Sequence, residues 1–495
     1  MYNTESFSPV CFHGGGSLQL RGQEVTYETV CEDNVFYDET GKPLATIFSY
    51  SYFRTNIENR AARPVLFCFN GGPGASSMSV HAGCFGAKRV KYPDSPKAET
   101  ALPPYEVIDN PDCLLDVADL VLVDPISTGF GLLLDEESDK RFYGIDEDAE
   151  ALLMFIRRWL SRYGRWNSPK YLVGESYGCT RAATAAGIGI SGGPTRSYGM
   201  TFDGVILLGN TVTVARYFNR GAPVEPAVEA LPTMAAIHWY HNHPTDQPLE
   251  AFVKEAAEFA SREYLPALFQ GEALTGADRA QIKQKLTAYT GVSDTYLEAR
   301  DLRLERRSFC HELLRSTNEV VSMMDGRFTR PAYQPLCRED TPGFFTDATS
   351  ERYQPFFQGA LLGDIADSLG IRDFDRSFVS SSNFGTELVP GSRWNFENAN
   401  LISGERLSVA MQSNRRMRTF FANGWYDLVT QTGIVWHTMT HTRLPQNRTF
   451  MKGYPSGHMI FIGEANVRML SEDIRRFVTG YAPVQSITPA QLFAS

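Results

Sequence analysis

The chain has no run approaching the roughly 18 consecutive apolar residues that a membrane-spanning helix needs, which argues against a membrane protein. It also lacks a surplus of positive charge. Across 495 residues, 47 Lys and Arg face 57 Asp and Glu, a formal charge of −10. Phosphate recognition needs a basic field, so a nucleic-acid partner is not expected. No Cys-x-x-Cys pair occurs among the eight cysteines, which are scattered from Cys11 to Cys337 and read as free, mostly buried thiols of a reducing compartment. No basic start followed by an apolar stretch opens the chain, and a cytoplasmic location is the expectation. Internal repeats and low-complexity tracts are absent too.

What is present is ordinary globular composition, 43% apolar and 21% charged. At this size roughly three quarters of the unfolded surface is buried on folding, so a large core is available without metal or disulfide support. Length alone suggests about three domains, or one α/β core carrying an insertion. Short apolar runs at Pro64 to Phe69, Asp119 to Val123, Tyr171 to Val173 and Val205 to Leu208 have the pattern of strands buried on both faces. Between the second and third, Asp146 to Tyr163 repeats its apolar residues at helical spacing. Strand, helix, strand in that order predicts a parallel sheet. An antiparallel hairpin precedes it, with Val35 to Tyr37 and Leu44 to Arg54 flanking the turn Asp38-Glu39-Thr40-Gly41.

After Asn210 amphipathic helical stretches dominate, among them Leu249 to Leu268 and Gly276 to Thr290, until strands return at Arg418 to Ala422 and Thr449 to Lys452. Helical chain spliced between strands of one sheet predicts a cap. The expected division is a first core segment over 1–213, a helical cap over 214–410 and a second core segment over 411–495, with Glu464 to Phe477 as a closing helix.

The chemistry concentrates at Gly174-Glu175-Ser176-Tyr177-Gly178, between the strand Tyr171 to Val173 and the small-residue helix Arg181 to Ala186. A Gly-x-Ser-x-Gly bend from strand to helix is a nucleophile elbow, which makes Ser176 the candidate nucleophile. A serine hydroxyl needs a base, and the base needs an orienting acid. Asp427 follows the strand Arg418 to Ala422 and His458 follows Thr449 to Lys452, in the chain order and loop placement that the hydrolase fold requires. Asn70-Gly71-Gly72-Pro73-Gly74 follows a strand and offers the Gly72 N–H, with that of Tyr177, as an oxyanion hole. His13-Gly14-Gly15-Gly16 imitates a lipase oxyanion loop but has no convincing buried strand before it, and it reads as a flexible N-terminal turn. Neither glycine cluster continues into Gly-Lys-Ser/Thr, which removes a phosphate loop. His238, His241 and His243, and the pair His437 and His441, lack the converging ligand set of a zinc site; no metal or other cofactor is expected.

Four segments, Asn70 to Ser77, Gly174 to Gly178, Asn423-Gly424-Trp425-Tyr426-Asp427 and Gly457-His458, resemble in sequence order the signatures of the serine carboxypeptidases, peptidase family S10. Arg63 to Asn70, Asp109 to Asp116, Asp124 to Gly129 and Tyr163 to Tyr171 are similar to bacterial-type members in particular. The resemblance implies an α/β-hydrolase fold with a mostly parallel sheet and an inserted helical cap, and release of C-terminal residues from a peptide substrate. It also implies that Asn70, Gly71 and Glu175 bind the terminal carboxylate. An acid facing an anion must be protonated to donate to it, so binding should favour acidic pH. Two departures stand out. Ser79 to Arg89 holds no second acid to pair with Glu175, and Ala75 replaces a cysteine that secreted relatives use in a disulfide. An esterase or acyltransferase on the same fold, and a catalytically silent hydrolase-like binding protein, are the alternatives.

Overall fold

The computed structural model describes residues 7–93, 103–192, 197–212, 224–332, 347–382, 394–395 and 403–492. Its centre is one sheet. Strands β1 (Cys11–Leu20), β2 (Gln23–Tyr37) and β3 (Pro43–Arg54) form an antiparallel meander. They are followed by β4 (Val65–Phe69), β5 (Asp119–Asp124), β6 (Lys170–Glu175), β7 (Gly204–Leu208), β8 (Arg418–Gly424) and β9 (Thr449–Tyr454). The spatial order is β1-β2-β3-β5-β4-β6-β7-β8-β9, with a two-residue strand, Leu132–Leu133, also paired to β3. β3 meets β5 antiparallel, and from β5 onward every pairing is parallel.

Side chains alternate across the strands and so build two cores from one set of residues. Leu66, Cys68, Leu120 and Leu122 enter one layer with helix α8 (Glu464–Val478) and helix α6 (Ala348–Ala360). Val65, Phe67, Phe69, Val121 and Val123 enter the other, with α1 (Ile145–Arg162), α2 (Tyr177–Ser191) and α7 (Ser403–Ser413). The fully apolar strands of the sequence are those covered on both faces.

A third core belongs to the helices between β7 and β8. It joins α3 (Glu225–Asn242), α4 (Leu249–Phe259) and α5 (Gly276–Thr290), and it takes in Trp425, Tyr426 and Leu428 from the loop after β8. The boundary expected at 213 lies outside the described residues, and the one at 410 falls within α7, which packs on α2. The stretch Leu249 to Leu268 is not one helix. A π-helical turn at Ala260–Tyr264 separates α4 from the short helix Leu265–Gln270.

One expectation is overturned. His13 to Gly16 is not a flexible turn but the middle of β1, paired residue for residue with Tyr27 to Val30. A β-carbon at Gly14 would stand 2.6 Å from the Ser368 carbonyl oxygen, and one at Gly15 2.5 Å from that of Tyr27. The glycines are there because other backbone approaches closely, a reason that strand propensity does not carry.

Candidate active site

β6 ends at Glu175 and α2 starts at Tyr177, so Ser176 makes the whole turn between them at φ 57°, ψ −127°. A non-glycine residue with positive φ is strained and persists only where its surroundings hold it. Here the Ser176 N–H donates to the Leu208 carbonyl at the end of β7 (2.8 Å), while its own carbonyl accepts from the Cys179 N–H and the Thr211 hydroxyl, each at 2.8 Å. The flanking glycines permit the bend: a β-carbon on Gly174 would lie 2.1 Å from the Gly178 carbonyl oxygen. The elbow is built as its pattern predicts.

The loop after β4 runs against the first turn of α2. A β-carbon at Gly71 would sit 2.2 Å from the Tyr177 nitrogen and 2.7 Å from that of Gly178, so only glycine lets these backbones meet. Tyr177 is the first residue of α2, where N–H groups lack intrahelical acceptors and the helix dipole favours negative charge. Gly72, beside Gly71, is exposed. Asn70 is buried and spans the floor. Its Nδ2 donates to Glu175 Oε2 and to Ser79 Oγ, both at 2.7 Å, and its carbonyl accepts from Arg181 Nη1 at 2.6 Å.

The acid and the imidazole arrive from the far side of the elbow. His458 Nδ1 lies 2.9 Å from Asp427 Oδ2, and both side chains are buried. Asp427 Oδ1 accepts the N–H groups of Val429 (2.8 Å) and Thr430 (2.9 Å), and the Thr430 hydroxyl donates to Oδ2. With both oxygens occupied by donors the carboxylate cannot swing, which fixes the tautomer of His458 with Nδ1 as donor. The ring packs on Gly209, where a β-carbon would be 3.2 Å from it, and Gly209 directly follows the residue that holds the Ser176 N–H. His458 Nε2 stands 3.8 Å from Glu175 Oε1.

Among the described residues the Ser176 hydroxyl makes no hydrogen bond; catalytic hydrogen bonds in unliganded enzymes are often long and close on substrate. Asp427, His458, Glu175 and Asn70 are thus joined by direct contacts, Ser176 is adjacent through Glu175, and Gly71 and Tyr177 abut. Sequence reasoning missed Thr430. The spacing Asp427 to Thr430, an acid accepting from backbone two and three residues on, is an Asx-turn signal that could have marked it.

Charge follows from burial. Burial alone would depress His458, but Asp427, with further help from Glu175 and Asp347, outweighs it and pushes the imidazole up to about 9. Burial raises the Glu175 carboxyl above its usual range, opposed by His458 and by the Asn70 hydrogen bond. The histidines set aside as decoys have other partners: His238 Nδ1 lies 3.0 Å from the Tyr289 carbonyl oxygen and His241 Nε2 2.7 Å from that of Gly326. His437 stacks on His441 and lies 2.7 Å from a Glu229 oxygen. Among the described residues no group of His, Cys, Asp and Glu could hold a metal ion, and no helix is long and apolar enough to cross a membrane.

Residues 43–219, which contain the elbow, the glycine loop and Glu175, match the family model of the serine carboxypeptidases, peptidase S10. Over these residues the chain is similar to that family. In fold the chain is similar to a prohormone-processing carboxypeptidase of Saccharomyces cerevisiae, Kex1(delta)p, at 14% identity over 93% of this chain and 94% of that one, with a TM-score of 0.53. Slighter likenesses run to the peroxisomal α/β-hydrolase Lpx1 of S. cerevisiae (11% identity, 97% and 91% covered, TM-score 0.34) and to homoserine O-acetyltransferase of Bacillus anthracis (11%, 96% and 99%, 0.32). No curated protein matches the sequence. The fold, a mostly parallel sheet with a nucleophile elbow after its sixth strand, is that of the α/β-hydrolases.

Proposed function

We propose that this protein is a serine carboxypeptidase that releases C-terminal residues from peptides through an acyl-enzyme on Ser176. Ser176 Oγ attacks the scissile carbonyl as its proton passes to His458 Nε2, and Asp427 stabilises the imidazolium that forms. The N–H groups of Gly72 and Tyr177 stabilise the oxyanion. The C–N bond then breaks, the proton on His458 goes to the leaving amine, and water, deprotonated by the same imidazole, returns the acyl group as a free acid. No step needs a cofactor. Asn70, Gly71 and Glu175 hold the terminal carboxylate of the peptide. The observation that carries the reading is the buried Asp427–His458 pair, 2.9 Å apart, set beside the Ser176 elbow with its imidazole against Glu175.

Glu175 and His458 act as a coupled pair. To donate to a carboxylate Glu175 must be protonated, and to serve as base His458 must be neutral. That state carries the same number of protons as the ion pair of ionised Glu175 with imidazolium. Moving one proton across the 3.8 Å contact interconverts them, so an arriving substrate anion selects the productive form without exchange with bulk water.

Ser176→Ala tests the nucleophile: kcat should fall by about 10⁴-fold or more with the fold intact. Free-acid and C-terminally amidated forms of one peptide test the exopeptidase assignment. The free acid should be cleaved far faster; equal rates would favour an esterase or acyltransferase, and an unlabelled Ser176 after fluorophosphonate treatment a silent binder.

A further inference from the structure

Both loops that carry the Asp427–His458 pair rest on the tip of one hairpin of the inserted segment. Glu319–Val321 pairs antiparallel with Thr329–Pro331, and the loop between them, 322–328, enters the space between the acid loop and the histidine loop. On the acid side the Met323 carbonyl accepts the Leu428 N–H (3.1 Å) and the Gly326 N–H donates to the Tyr426 carbonyl (2.9 Å), one residue to either side of Asp427. On the histidine side the Met324 carbonyl accepts the His458 N–H (2.6 Å) and Asp325 Oδ2 accepts the Gly457 N–H (3.0 Å).

Arg327 completes the grip. Its Nε and Nη2 fork onto the Asp325 carboxylate at 3.0 and 2.6 Å, while Nη1 donates to the Pro455 carbonyl at 2.7 Å and Nη2 reaches Ser456 Oγ at 3.2 Å. Asp325 is 1% exposed, and Arg327 is the charged partner it meets there. The fit is tight: a β-carbon on Gly457 would stand 2.3 Å from the Met324 carbonyl oxygen and 2.4 Å from Asp325 Cβ. The base of the loop is fixed by Asp347, which accepts the Met323 N–H at 2.7 Å and the Ser322 hydroxyl at 2.6 Å.

We propose that Asp325 and Arg327 are positioning residues which set the separation of Asp427 and His458 by holding both of their loops to one rigid tip. Neither residue is required to touch substrate. The inference rests on the assignment of Asp427 and His458 to catalysis. Its mark is a loss in the chemical step with little change in substrate binding, since misplacement by about 1 Å can cost on the order of 100-fold in rate.

The test uses the full chain with Asp325→Asn, Arg327→Gln and the milder Arg327→Lys. Tyr264→Phe serves as a control, because Tyr264 is buried in the inserted helices and its hydroxyl bonds Leu302 and Leu304, away from both loops. Readouts are kcat, KM, the rate of Ser176 labelling by a fluorophosphonate, and the melting temperature. In Asp325→Asn and Arg327→Gln, kcat and labelling rate should fall together by about 10- to 100-fold with KM within about twofold, and Arg327→Lys should recover part of the loss. If the first two do not fold, Arg327→Lys decides alone, with a fall of about three- to tenfold expected. Wild-type labelling rates in these variants overturn the proposal, as does a change confined to KM, or an equal rate loss in Tyr264→Phe at matched melting temperature. A wild-type protein whose Ser176 is not labelled at all overturns the catalytic assignment itself, which separates the two failures.

Discussion

Burial and the neighbouring groups pull Glu175 in opposite directions. Asn70 donates to its Oε2 at 2.7 Å, which favours the carboxylate, whereas burial favours the acid, and burial prevails enough to raise it. No Asp or Glu occurs from Ser79 to Arg89, and the ionisable group that meets Glu175 is His458, at 3.8 Å. The negative charge of Glu175 also helps hold the imidazole at about 9. The sign of a substitution follows. Glu175→Gln removes that charge, so the imidazolium loses support, its pKa falls, and the neutral base becomes available at lower pH. The acid limb of the kcat/KM profile on an ester substrate should therefore move to lower pH in Glu175→Gln. The amide keeps an N–H donor at every pH, so KM for a free-acid peptide should also lose its rise toward alkaline pH. A profile superimposable on that of the wild type would show that the two groups do not communicate.

At the scale of elements, α1 and α2 are joined by a buried ion pair. Arg181 Nε lies 2.6 Å from Asp148 Oδ2, and the same guanidinium reaches the Asn70 carbonyl through Nη1. Burial raises Asp148 against the pull of Arg181. Breaking such a pair from one side strands a charge and typically costs about 3–5 kcal/mol. Arg181→Met should lose roughly that much stability at neutral pH by urea unfolding. The loss should shrink on acidification, when the stranded Asp148 takes up a proton, and Asp148→Asn in the same background should restore much of it. This pair left no mark in the sequence, because its partners are 33 residues apart on different helices. The same holds for the grip of Asp325 on Gly457, across 132 residues. What was legible was local: strands apolar on both faces, a helix of regular period, and an elbow whose glycines, serine and flanking elements lie within a few residues of one another. The order of acid and histidine loops was legible because a parallel sheet offers few topologies. β1 was hidden by its three glycines, which answer to Tyr27 and to the chain at Ser368 and not to any neighbour in sequence.

Taken as a whole, the molecule folds around ionisable groups that burial drives in opposite directions, and two of them, His81 and Asp124, are linked through Tyr50. Burial holds His81 neutral, down to about 3 from an ordinary 6.5, with Tyr52 OH at 2.6 Å from its Nε2. Burial pushes Asp124 up to about 6 from 3.8, against hydrogen bonds from Ser77 and Tyr50. The Tyr50 ring stacks edge-on against His81, which links the two. A depressed histidine contributes stability that is complete above pH 6.5 and drains away as pH falls toward 3. A raised carboxyl contributes stability that is complete below 3.8 and is lost as pH rises through 6. Between pH 6 and 3.8 acidification therefore costs about 1.4 kcal/mol per pH unit at His81 and returns a similar amount at Asp124, and the two nearly cancel. Asp124→Asn removes the return and leaves the cost. Whatever its stability at pH 7, its urea-unfolding free energy should fall across that window more steeply than that of the wild type by about 1.4 kcal/mol per unit, since every other group is common to both proteins. Parallel slopes in the two proteins would mean that Asp124 is ionised in the folded state at pH 5, and that the Ser77 and Tyr50 donors outweigh its burial.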